Sequence, residues 1–401
     1  MLNVRRLDCI GTLDHIIWNI CTHPNLPIIA SCGESHNISL WFSKSLNKHL
    51  WYPKDDSFSK YNSKNSDWIL AYQFGDINHK KTIRRVCWSP CGNMIIAGSF
   101  DGTASIWEFV PSTKVWNCIS ILQGPENEVK GIDWNKYNNF IALCSRDRSI
   151  WIFSIVIESR RAHGSQVESE CHSVLTGHTQ DIKTVKWHPT NSLVLFSCSY
   201  DNTIIIWGPE IPISNFENQN IEWIKWYVLE GHLSTVWDIT FDLTGDYCIT
   251  CSDDSSLILW KAKKSYNVNF TNPGKNIIKS ATMNTSFRIL TENSTQVVNN
   301  YLQKSSYSGF LFHGDNEYSP PIYSVDWCQY LNCIVAGSGD NSLHFFSLSK
   351  DELKHLKSIE DAHKNDINSV SWLHNNNGKF VSAGDDGNII LWEVTFIEIE
   401  E

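Results

Sequence analysis

No run of roughly 18 apolar residues occurs in the 401-residue chain, which leaves no candidate for a membrane-crossing helix. The first ten residues, MLNVRRLDCI, lack the apolar stretch of a secretory leader. Positive net charge is also missing. The formal balance is −10, which argues against a nucleic-acid binder driven by overall charge. There is no glycine-rich phosphate loop and no pair of carboxylates outside turn-like segments. Cysteine is present, 13 times, but without a metal-ligand pattern. The one C-x-x-C, Cys248 to Cys251, falls in a strand-like run, where residues three apart point to opposite faces. Cys87 with Cys91 and Cys328 with Cys333 have no second pair at zinc-site spacing. The thiols therefore read as reduced core residues of a cytosolic or nuclear protein. No metal, no cofactor and no enzymatic activity is expected.

What the chain has in excess is tryptophan, 18 residues, and these recur in register. SFDGTASIW (99–107), SRDRSIWIF (145–153), SYDNTIIIW (199–207), SDDSSLILW (252–260), SGDNSLHFF (338–346) and GDDGNIILW (384–392) each place an Asp six residues before an aromatic. GESHNISLW (33–41) is a weaker seventh copy with Ser35 in the Asp position. In SYDNTIIIW the Asp201-Asn202 pair suits a tight turn, and the Ile-rich run after it suits a strand. Upstream of most copies stands a second element, such as GHTQDIKTVKW or GHLSTVWDITF. Repeats of about 40–45 residues with these features build a β-propeller of four-stranded blades. Seven copies predict an all-β, seven-bladed WD-repeat propeller, a single domain over 1–401.

The Ser, His and Asp that recur in the blades resemble catalytic triads, but an active site occurs once and a fold motif recurs. The expected role is structural, with His79, His178, His232 and His363 orienting the turns at Asp101, Asp201, Asp254 and Asp386. Asp147 loses its histidine because Pro125 follows Gly124. Asp340 has only Tyr318 near the histidine position, and the first blade lacks both residues. The segment VRRLDCI is expected to close the ring as the outer strand of the last blade, removing a sheet edge. Residues 42–66, 154–172 and 208–222 read as connections or insertions. The Asn-, Ser- and Thr-rich segment 261–318 reads as a disordered insertion between blades 5 and 6, and the acidic tail TFIEIEE as frayed.

RRVCWSPCGN (84–93), ENEVKGIDW (126–134), CSRDRSIWIF (144–153), HTQDIKTVKWHP (178–189), EGHLSTVWDITFD (230–242) and CSDDSSLILW (251–260) closely resemble the WD-repeat subunit of the cytosolic iron–sulfur protein assembly targeting complex. The resemblance is strongest over 79–260. It implies a non-catalytic scaffold that joins a small partner subunit and a large HEAT-repeat adaptor and docks apo iron–sulfur client proteins. No direct nucleic-acid or membrane partner is implied. Some clients of this family end in an aromatic residue with a free carboxylate. The alternative is a generic WD-repeat adaptor, such as a ubiquitin-ligase substrate receptor or a chromatin-associated reader.

Two positions per blade are expected at the channel mouth: the residue before the turn Asp, and the residue after the apolar one that opens the first strand. They place Arg84, Lys130, Arg146 and Lys183 on blades 2 to 4, flanked by Phe100, Tyr200 and Trp237. Cations beside aromatics suit a carboxylate carried on an aromatic group. Arg146 is the central expectation, because a guanidinium can hold a carboxylate bidentately.

Overall fold

Four strands per blade follow from the alternation of apolar runs with Asp, Asn and Gly turns. In the computed structural model the described residues are 2–47, 49–53, 66–75, 78–136, 140–160, 164–210, 221–262, 302–307, 320–373 and 378–396. Among them, seven four-stranded antiparallel sheets form, together with a single 3-10 turn at Lys44–Leu46. The innermost strands are β2 (Ile17–Thr22), β6 (Ile83–Trp88), β10 (Val129–Trp134), β14 (Ile182–Trp187), β18 (Val236–Phe241), β22 (Ile322–Cys328) and β26 (Ile367–Trp372). Each packs against the next, and β26 returns to β2, so the ring closes. Closure is fastened as the sequence predicts. β1 (Leu2–Thr12) pairs with β28 (Asn388–Phe396) as the outer strand of the seventh blade.

The turn at the centre of each repeat has one backbone form. His36, Gly102, Arg148, Asn202, Ser255, Asn341 and Gly387 all take φ between 61° and 89°. This left-handed residue closes the tight hairpin turn between the second and third strands of each blade. Gly and Asn adopt it readily, whereas His36, Arg148 and Ser255 hold it against their own steric preference.

The structure adds to three of these segments. The insertion at 154–172 is built as strand: β12 (Ser149–Arg160) and β13 (Gly164–Thr176) continue as one long antiparallel ribbon, register-paired from Ser149–Thr176 to Arg160–Gly164. The β-branched run Ile155-Val156-Ile157 carries strand propensity past the blade. The segment 261–318 contributes strand at both ends. Lys261 and Ala262 end β20 (Leu257–Ala262), and β21 (Leu302–Tyr307) pairs with it as the outer strand of blade 5. An unpaired β20 edge would leave a row of backbone groups without partners, and β21 fills it. The remainder of that insertion, with Tyr318, and residues 397–401 of the tail lie outside the described residues. Within 42–66, Trp51 lies on a turn of the connection, yet its ring stacks parallel to Trp88 at 6.4 Å and packs against the blade 1–2 core. The C-x-x-C expectation holds, since Cys248 and Cys251 enter different hydrophobic clusters on opposite faces of β19 (Tyr247–Ser252).

Candidate functional site

The turn network accounts for the recurring triads. Asp201 accepts hydrogen bonds from His178 Nδ1 at 2.9 Å and from the backbone of Thr179 at 2.9 Å and Thr203 at 3.1 Å. His178 Nε2 lies 2.7 Å from Ser197 Oγ, which accepts from Trp207 Nε1 at 2.8 Å. The same chain runs through His232, Asp254, Thr250 and Trp260, and through His363, Asp386, Ser382 and Trp392. Burial works against the Asp201 charge, but hydrogen bonds from His178 and Thr203 outweigh it and hold the carboxyl well below the usual range. Asp101 and Asp386 behave alike, and Asp254 is held at about 2 by His232 and Ser256 against its burial.

The hydroxyl that completes the chain was given no role by the sequence reasoning. It stands ten positions before the Trp: Ser197 in blade 4, Thr250 in blade 5 and Ser382 in blade 7. In blade 2 that position is Ala97, and Ser105, its register partner across the hairpin, takes over. Ser105 Oγ lies 2.7 Å from His79 Nε2 and accepts from Trp107 Nε1 at 2.7 Å, while His79 Nδ1 donates to Asp101 at 3.1 Å. In blade 6 the corresponding partner of Ala336 is His344, whose Nε2 lies 3.5 Å from Asp340. Asp340 thus has a histidine, but from its own hairpin. Among the described residues, the Asp147 carboxylate accepts only from Glu126 N at 2.8 Å and from the amide and hydroxyl of Ser149. These residues are a framework, repeated around the ring.

The channel mouth is different, because its residues vary from blade to blade on a constant backbone. Every innermost strand carries a register shift just after its first, fully buried apolar residue: Ile17, Ile83, Val129, Ile182, Val236, Ile322 and Ile367. The bulged residue is therefore Trp18, Arg84, Lys130, Lys183, Trp237, Tyr323 or Asn368, and a bulge re-aims its side chain out of the sheet. Beside it sits the residue before each turn. The amides of Glu34, Phe100, Arg146, Tyr200, Asp253, Gly339 and Asp385 each donate to a carbonyl at the start of the same blade's first strand. Two rings of side chains meet there.

The cations pair with aromatics as well as with acids. Lys130 Nζ lies 4.1 Å above Phe100, and Lys183 Nζ lies 4.9 Å from Tyr200 and 5.0 Å from Trp237. Arg84 sits 5.0 Å over Trp18, the bulged residue of blade 1. Two carboxylates went unrecognised. Glu128 contacts Lys130 at 2.5 Å and Arg146 at 3.3 Å, and Asp181 contacts Lys183 at 3.7 Å and Arg146 at 3.9 Å. Both precede the strand by one residue, a position that could have been aligned across blades. Four cations against two carboxylates leave two positive charges. Burial lowers the Lys183 pKa, and the neighbouring charges of Lys130 and Arg84 lower it further, against Asp181. Arg146 has the freest side chain of the group, 54% exposed, compared with 17% for Lys130 and 12% for Lys183.

Below the mouth the channel wall is internally matched. Arg85 of blade 2 meets Asp238 of blade 5 at 3.2 Å, and Lys186 meets Asp133 at 3.8 Å. Carboxylates do reach the channel, then, although the sequence suggested none there. They serve the ring: Asp133 accepts from Trp187 N at 2.7 Å and Asp326 from Trp372 N at 2.8 Å, each in the following blade. Among the described residues there is no cluster of three or more metal-ligating side chains.

The family profile "WD domain, G-beta repeat" matches residues 7–41, 73–108, 116–154, 169–208, 224–261 and 353–393. A Vanderwaltozyma polyspora protein described as "Probable cytosolic iron-sulfur protein assembly protein 1" is 31% identical over 81% of this chain and 85% of its own length. A Culex quinquefasciatus protein described as "Probable cytosolic iron-sulfur protein assembly protein Ciao1" is 31% identical over 96% of this chain and 97% of its own. A Schizosaccharomyces pombe protein described as a "Probable cytosolic Fe-S cluster assembly factor" is 29% identical over 97% of this chain, which spans about half, 54%, of that relative.

Proposed function

The chain belongs to the WD-repeat family of the cytosolic iron–sulfur protein assembly proteins, and from that premise we propose that it is a non-catalytic docking platform for cytosolic iron–sulfur protein assembly. Its ring brings a small partner subunit and a large HEAT-repeat adaptor together with apo client proteins of the cytosol and nucleus. The cluster is cargo and is not held by this chain.

The observation that carries the site is the basic, aromatic arc over blades 2 to 4. Glu128 and Asp181 steady the Arg146 guanidinium from two sides and leave its outer edge to solvent. Lys130 and Lys183 are fixed over aromatic rings and supply positive potential without reaching outward. A peptide ending in an aromatic residue and a free carboxylate meets both halves of this surface: the carboxylate at Arg146, the ring against Tyr200 and Trp237. Tyr200 is 55% exposed, so its ring is open to such a group.

Isothermal titration with such a peptide tests the site. Arg146→Glu is expected to weaken binding by about 2 kcal/mol or more with little change in melting temperature. Unchanged affinity for both the peptide and the partner subunit removes the arc and directs attention to the outer strands. A pull-down from native lysate tests the wider role. Recovery of a HEAT-repeat adaptor supports it, whereas a cullin adaptor would favour a ubiquitin-ligase receptor.

A further inference from the structure

The outer strand of each blade ends its sheet, and β13 of blade 3 is the longest of them. It outruns its own blade. β11 (Phe140–Ser145) pairs with β12 only from Phe140–Ser154 to Cys144–Ile150. β12 and β13 stay paired beyond that, from Ile155–Ser169 to Arg160–Gly164. A two-stranded ribbon is marginal in water by itself, and this one leans on blade 2. Ile155 is buried there, Ile157 and Val167 pack against the same cluster as Ile119 of β9 (Val115–Gln123), and Ser169 Oγ lies 3.2 Å from Ser120 Oγ.

The opposite face of the ribbon has no such cover. Val156, which pairs with Glu168, is 56% exposed, and Glu168 and Glu170 are exposed on the same face. The register skips His172, whose Nε2 turns inward to the Ile221 carbonyl of blade 4 at 2.9 Å. Below that bulge, residues 164–171 keep an unbroken register with β12. Their outer side is a row of backbone donors and acceptors to which no strand is paired.

Edge strands are ordinarily guarded by lysine, other charges or proline. β1 has Arg5 and Arg6, β17 (Trp223–Glu230) has Lys225, β21 has Lys304, and β25 (Glu352–Ile359) has Lys354 and Lys357. β5 (Trp68–Phe74) has no such residue, but its first four residues are buried. β9 has the ribbon against it. β13 has no lysine, arginine or proline, and its only carboxylates are Glu168 and Glu170. The blade 4 segment that His172 touches adds exposed Glu222, whose carbonyl accepts from the amide of exposed Glu210 at 2.9 Å. Among the described residues, none of these four carboxylates lies in an ion pair. Pairing with the same edge of a second copy would set glutamates against glutamates, which is destabilising.

We propose that β13 is a docking edge, to which a partner protein adds an extended segment with lysine or arginine at alternate positions. The backbone of that segment pairs with residues 164–171, and its cationic side chains meet Glu168 and Glu170 on the outward face. The ribbon lies at the end of β12 away from the Arg146 turn, so this contact is separate from the mouth.

A synthetic peptide of about ten residues, alternating valine and lysine, is titrated into the full chain beside two controls: a valine–glutamate peptide and a fully N-methylated copy of the valine–lysine peptide. The lysine peptide is expected to bind and to slow amide exchange within 164–171 about tenfold or more. The glutamate peptide is expected not to bind, and the N-methylated copy, which keeps the charge but has no backbone donors, to bind about tenfold more weakly or less. Combining Glu168→Lys with Glu170→Lys is expected to weaken the lysine peptide about tenfold and to leave binding of an aromatic-carboxylate peptide at the mouth unchanged. No binding of the lysine peptide, equal binding of either control, or protection that misses 164–171 overturns the proposal. So does a free chain that dimerises with 164–171 protected. The exchange map of the parent chain decides the matter even where the double variant fails to fold.

Discussion

Replacing Asp201 by alanine removes the acceptor on which one blade's polar chain ends. Five donors lose their partner: His178 Nδ1, the amides of Thr179 and Thr203, and the hydroxyls of the same two threonines. The threonine groups lie near the surface, where water can take the place of the carboxylate, so their loss costs little. His178 is the decisive group, because its side chain is fully buried. A buried donor left without an acceptor costs about 1–3 kcal/mol. Asp147→Ala strips only the Glu126 and Ser149 contacts, with no histidine behind them, and is expected to cost less than about 1 kcal/mol. The sign with pH follows from the depressed carboxyls. Asp101, Asp201, Asp254 and Asp386 titrate lower in the folded chain than in the unfolded one, where the value is about 3.9. Their contribution is present above that value and is lost as pH falls through the folded values.

Urea denaturation at pH 7 and again near pH 3 reads both effects. The gap between parent and Asp201→Ala is expected to be full at pH 7 and smaller at pH 3. Equal losses for Asp201→Ala and Asp147→Ala at pH 7 would show that the histidine is not what the aspartate secures, and the account of the turn would fall.

Two further outcomes follow from the fold. Deleting 265–299 is expected to leave folding and partner capture intact, whereas deleting 265–310 removes β21, exposes the β20 edge and promotes aggregation on size-exclusion chromatography; identical behaviour would show that the outer strand is dispensable. Ser105→Ala leaves His79 Nε2 and Trp107 Nε1 without their shared oxygen and is expected to cost about 1–3 kcal/mol. Adding Ala97→Ser, at the position its blade relatives use, is expected to recover part of that loss; no recovery in chemical denaturation would mean that the two positions are not equivalent.

The fold was legible because a propeller repeats its constraints. One Asp six residues before an aromatic is a coincidence, but seven turns that each end in a left-handed residue are an architecture. Repetition also made the site's framework legible, since bulged and pre-turn positions can be counted from the same landmarks in every blade. What stayed hidden is what the repeat does not encode. Ser105 substitutes for an absent serine at Ala97 only because the two face each other across a hairpin, and His344 reaches Asp340 through the same register position in blade 6. Glu128 and Asp181 matter because Arg146 bends toward both, and no spacing rule gives a side chain's direction. Arg85 finds Asp238 more than a hundred residues away, across the ring. The repeat fixes where each backbone stands. The chemistry arises where unlike side chains from different blades are set against one another, and that is why the recurring triads are framework while the irregular rim carries the functional proposal.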